Sequence, residues 1–174
     1  MFYKNLMREI FAKLPHISIE DDSARRYVLL DTCFFIHVFE HQKEYQLKGL
    51  MASKSVGITS FNVEEFLFKE HSVDERVREY VRKFLKMHPI VVLDINVRPG
   101  NVAQEHKFVY SIDPDILKDV PDASDAVLIA AAIRTQSIVL TKDKHHLFTV
   151  KLENYLNKHG ISVYKEFHEV HDVQ

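Results

Sequence analysis

Short runs of this chain are apolar at nearly every position: Tyr27–Leu30, Ser55–Thr59, Ile90–Leu93 and Ser137–Leu140. A strand with one wet face alternates apolar and polar residues. A strand that is apolar on both faces must be covered on both, which favours a parallel sheet held between helical layers. Stretches with helical spacing separate these runs. The pattern predicts an α/β three-layer sandwich with a mostly parallel central sheet.

The helices can be read between the strands. Phe2, Leu6, Ile10 and Leu14, with Met7 and Phe11, recur at helical spacing, and Pro15 closes this first helix. Residues 16–26 are polar and read as a connector. A helix is expected from Thr32 to Leu50. Another carries Glu65 and is capped by Ser60 or Asn62. The capping box Ser72-Val-Asp-Glu75 starts a helix that runs to Met87. The third strand spans Pro89–Ile95. Residues 99–120 read as broken helix, punctuated by Pro114 and Pro121. Asp122, Ser124 or Asp125 caps an Ala-rich buried helix over Ala126–Thr135. A helix over Thr149–His159 stops at Gly160, and Ile161–Tyr164 forms a fifth strand. The expected organisation is an extra N-terminal helix with its connector (1–26), one main domain (27–164) and a polar tail (165–174).

Composition excludes several classes. At 174 residues, with 46% hydrophobic and 28% charged residues, the chain suits one soluble domain with a sizeable core. Four Gly and five Pro are too few for disorder. No apolar run reaches the ~20 residues of a membrane span, and the first helix lacks the form of a signal peptide. Cys33 is the only cysteine, which excludes an internal disulfide and fits a reducing, cytoplasmic setting. The net charge of −2 excludes a global basic field, so any nucleic-acid contact must use a local patch. The eleven His are scattered without zinc-site spacing.

Carboxylates mark the ends of these elements. Asp31 and Asp143 lie just past the carboxyl ends of strands. Glu65 and Asp125 lie in the first turns of helices facing the same edge. In parallel α/β sheets the cleft forms along that edge, so all four acids can converge there. An all-oxygen cluster with no zinc-type ligands suits Mg²⁺ or Mn²⁺, as one or two ions. Such sites commonly cut phosphodiesters. Glu64 is the register alternative to Glu65. Asp122 is a cap or an auxiliary acid, and Thr141 can orient a carboxylate through its hydroxyl. Asp94 also ends an apolar strand.

Three stretches resemble the PIN-domain nucleases: LLDTCFFI, TSFNVEEF and SDAVLIAAAIRTQSIVLTKD, the last being the most specific. The likeness covers about residues 27–164. It implies a metal-dependent endoribonuclease acting on single-stranded or structured RNA, either a toxin of a toxin–antitoxin pair or an RNA-processing enzyme. It assigns the metal-binding and catalytic carboxylates to Asp31, Glu65, Asp125 and Asp143, and it leaves Asp94 structural. Two positions depart from the family: Cys33 stands where Asn is frequent, and His145 where a further acid is frequent.

Lys142, Lys144 and Arg134 are expected to form a basic rim for RNA. The cations of 76–86 read as a solvated helix face. An antitoxin protein is the partner that the resemblance implies. The apolar face of residues 2–14 could serve a homodimer or pack on its own domain. The alternative to an enzyme is a catalytically weak PIN-like module acting through protein or RNA partners.

Overall fold

A computed structural model describes residues 6–143 and 150–171 of the chain. Helix α1 (Leu6–Ala12) leads into strand β1 (His16–Ser18). Strand β2 (Val28–Leu30), helices α2 (Thr32–Glu40) and α3 (Glu44–Ser53), and strand β3 (Val56–Thr59) follow. Next come helix α4 (Ser60–Lys69), a 3-10 turn (Glu70–Ser72), helix α5 (Glu75–Met87) and strand β4 (Val91–Asp94). The remainder holds α6 (Val102–Ile112), α7 (Ile116–Asp119), α8 (Ala123–Thr135), β5 (Ile138–Leu140), α9 (Val150–Lys158), β6 (Val163–Tyr164) and α10 (Phe167–His171).

The strands form one sheet in the order β1-β4-β3-β2-β5-β6, with every pairing parallel. The chain leaves β2 on one side through β3 and β4, then returns through α6–α8 to β5 on the other side. That reversal makes the carboxyl ends of β2 and β5 the switch point, where such sheets open a cleft. The register aligns Leu30 with Leu140, so Asp31 and Thr141 follow side by side.

Helices cover both faces, and the three-layer α/β sandwich expected from the strand pattern is the observed fold. One face is built from Phe11, Phe34, Phe35, Phe39, Phe66 and Phe84. Phe35 and Phe66 meet edge to face, with ring centroids 5.3 Å apart. The other face rests on α8, whose Ala126 and Ala130–Ala132 are fully buried. Those small side chains leave room for the backbone of α8 to approach its neighbours closely.

Several local expectations change. Residues 16–18, read as connector, form β1 beside β4. Their mixed burial carries no apolar run, and the open edge of β4 supplies the backbone partners that order them. The single helix expected over Thr32–Leu50 is two helices. Gln42 at φ 53° turns the chain between them, and Lys43 N–H donates to the Val38 carbonyl at 2.7 Å. The polar tail contains α10, where Phe167 packs on the Phe34 ring at 5.1 Å and Val170 is buried. Thr59 caps α4 in place of Ser60 or Asn62, and Asp74 caps α5 in place of Ser72. Met7, Ile10 and Phe11 of α1 are buried in the domain's own core, so that face is not open to a second copy.

Candidate functional site

Asp31 caps α2 directly after β2 and is 8% exposed. Four protein donors hold its carboxylate. Thr32 N–H donates to Oδ1 at 2.8 Å and Asn62 Nδ2 at 3.3 Å. Thr141 Oγ1 donates to Oδ2 at 2.6 Å and Cys33 Sγ at 3.1 Å. Thr141 is fully buried after β5, and its hydroxyl also accepts the Asp143 N–H at 3.0 Å. One threonine therefore ties the acid after β2 to the segment carrying the acid after β5.

Glu65 faces this cluster. Its Oε2 accepts from Thr32 Oγ1 at 2.7 Å and from Asn62 Nδ2 at 3.1 Å. Glu64 points elsewhere, into a paired contact with Arg8 at 2.7 and 3.0 Å. Burial raises the Glu65 carboxyl pKa above its usual range, and the charge of Asp31 adds to the effect against the hydrogen bond from Thr32.

Asp122 is the cap of α8, its carboxylate accepting the Asp125 N–H at 3.0 Å. Asp125 lies in the first turn of that helix. Its carboxyl is pushed up to about 8, first by burial, then by the charges of Asp122, Asp143 and Asp31, with a hydrogen bond to Asp143 adding to the rise. The structure thus brings Asp31, Asp125 and Asp143 within electrostatic reach of one another, with Asp122 at the rim.

Sequence reading passed over Asn62 as more than a cap. Asn62 is 2% exposed, and its Nδ2 donates to Asp31, Thr32 and Glu65. Thr59 Oγ1 donates to its Oδ1 at 2.6 Å and fixes the amide. The available signal was its spacing, three residues before Glu65 on one helix face. Cys33 also enters the site, as a thiol raised to about 11 by burial and by Asp31, so it donates a hydrogen bond and is no nucleophile at neutral pH.

The expected basic rim is different. Lys142 is half-buried, packs over the Phe34 ring and pairs with Glu166. Arg134 sits at the far end of α8 from Asp125, nine residues or roughly 14 Å along the axis, because that helix runs away from the carboxyl edge. Its carbonyl accepts from Arg25 there. Lys144, His145 and His146 lie outside the described residues. On α5, Lys83 is exposed and pairs with Glu79, as a solvated face does, whereas Arg78 and Arg82 are partly buried and pair with Glu75. Asp94 pairs with His16 at 2.9 Å, away from the cluster.

Among the described residues, no three His, Cys, Asp or Glu side chains are grouped as a ready metal cage. Asp31 spends its lone pairs on protein donors, and Asp125 and Asp143 bond to each other. The donor set nonetheless fits a hard divalent cation. It is all oxygen, and burial together with the charges of Asp122, Asp143 and Asp31 pushes the Asp125 carboxyl up to about 8, a penalty on the charged form that a cation would relieve.

A six-stranded parallel sheet between helical layers, with acidic side chains at its switch point, defines a class of α/β domain whose cleft lies along the carboxyl edge. The chain belongs to the PIN-domain family, whose members are generally nucleases: the family model matches residues 28–150. The fold is similar to a chain in the crystal structure of VapBC2 from Rickettsia felis bound to a DNA fragment from their promoter. That likeness has a TM-score of 0.52 and 11% identity, and covers 80% of this chain and 98% of the other. No curated protein matches the sequence. Among the described residues, no helix is long and apolar enough to cross a membrane.

Proposed function

We propose that this protein is a divalent-metal-dependent endoribonuclease of single-stranded RNA. The observation that carries the proposal is the convergence of Asp122, Asp143 and Asp31 on the carboxyl of Asp125. Asp31, Glu65, Asp125 and Asp143 would hold Mg²⁺ or Mn²⁺, which when bound supplies Lewis acidity and neutralises charge at the phosphate. Thr141 orients Asp31, while Thr32 and Asn62 orient Glu65. Lys142, beside Asp143, would exchange Glu166 for a phosphate oxygen. The toxin role in a toxin–antitoxin pair is part of the proposal, supported by the family and by the likeness to a VapBC2 chain.

The test is Asp31→Asn and Asp143→Asn, each checked for a native circular dichroism spectrum. Both should lose Mn²⁺- or Mg²⁺-dependent cleavage of single-stranded RNA. Parental rates in both variants would sink the reading.

A second reading is a catalytically weak binding module. The four protein donors on Asp31 favour it, since a ligand carboxylate ordinarily keeps an oxygen free. Calorimetric titration with Mn²⁺ separates the two: micromolar binding supports the nuclease, and no binding supports the module.

A further inference from the structure

A groove of about 1240 Å³ lies beside the acidic cluster, lined by α1, α4 and the segment after β4. Glu65 belongs both to the groove and to the cluster, so the two are continuous. The volume exceeds the ~300–1,000 Å³ usual for small-molecule sites, which suits a segment of polymer. Its α1 wall precedes residues 28–150, the span that the family model matches.

The lining chemistry is selective. Two of its acids already have basic partners, Glu64 in an ion pair with Arg8 and Asp94 in a hydrogen bond with the His16 ring. Lys69 and Arg98 line the groove and are exposed, and among the described residues neither is in an ion pair. Phe68 stands 78% exposed on the same helix as Glu65, its ring unused by the core. Lys69 also favours the Glu65 carboxylate through its charge. An exposed aromatic in one groove with exposed cations is an arrangement that binds unpaired nucleotides, the ring stacking a base and the cations meeting phosphates.

We propose that this groove holds the stretch of single-stranded nucleic acid flanking the position at the acidic cluster. Phe68 stacks a base, and Lys69 and Arg98 contact its phosphates. The choice of nucleic acid rests on the nuclease reading; the groove and its residues do not.

The chain has no tryptophan, so Phe68→Trp introduces a single indole reporter. An RNA oligonucleotide of about 12 nucleotides should quench that indole saturably. Adding Arg98→Glu should weaken the apparent affinity about tenfold, whereas Lys83→Glu on the outer face of α5 should leave it unchanged. Oligonucleotide binding seen by anisotropy without quenching overturns the groove assignment, as does equal weakening by Lys83→Glu or no binding at all. Shielding of the indole by a protein partner, with oligonucleotides silent, also overturns it. Quenching without any metal-dependent cleavage overturns the nuclease reading and leaves the groove standing.

Discussion

The Thr141 hydroxyl donates to Asp31 Oδ2 at 2.6 Å and accepts the Asp143 backbone N–H at 3.0 Å. Two neighbouring strands thus set the position of their terminal acids through one side chain. Thr141→Val keeps the shape and removes both bonds. It should cost about 1.5–3 kcal/mol of stability, because the Asp31 carboxylate loses a buried donor. Metal-dependent cleavage should fall at least about tenfold, and Thr141→Ser should restore most of both. Urea unfolding and initial rates measure the two effects; an unchanged Thr141→Val would show that Asp31 needs no such support.

Asn62→Leu tests the second clamp. Leu fills a similar volume but offers no donor to Asp31 or Glu65 and no acceptor to Thr59. The expected cost is about 2–3 kcal/mol, with Mn²⁺ affinity reduced about 10–100-fold. Calorimetry on the folded variant reads the affinity directly. Parental affinity would mean that Glu65 is oriented from elsewhere.

The metal-free protein should lose stability as pH rises. Asp125 keeps its proton up to about pH 8 in the folded state but releases it in the ordinary carboxylate range when unfolded. Glu65 is raised in the same direction. These two carboxyls bind more protons in the folded state, so their contribution to stability declines from about pH 4 to about pH 8; burial and the nearby His41 hold His37 down to about 4, which opposes that decline below its ordinary value of 6.5, so the net fall is concentrated between about pH 6.5 and pH 8. Mn²⁺ or Mg²⁺ must displace that proton, so apparent affinity should increase over the same range. Thermal melts against pH, with and without metal, check both trends. Asp125→Asn should flatten the metal-free slope; an unaltered slope would assign it to other groups.

Burial patterns carried much of the fold. Continuous apolar runs foretold β2, β3, β4 and β5 because a doubly covered strand must be apolar throughout. The same logic found α8, which is buried from Ala126 to Ile133. It failed for β1, an edge strand with mixed burial that exists because β4 offers it backbone partners. It failed at Gln42, a positive-φ turn in a residue with no glycine-like signature. The tail helix α10 was missed because Phe167 and Val170 are too few to show a period.

The amino-acid sequence alone determined which residue types could act here and which sheet edge they would share, because strand polarity places Asp31, Asp125 and Asp143 on one side. Only the tertiary structure turned Glu64 away to Arg8, made Asp122 the cap, sent Arg134 to the far end of α8, and joined Asp31 to Thr141 and Asn62. Local periodicity is set by near neighbours and is legible in the chain. The clamp between residues 31 and 141 spans 110 positions, and it depends on the register of two strands that meet only when the sheet forms.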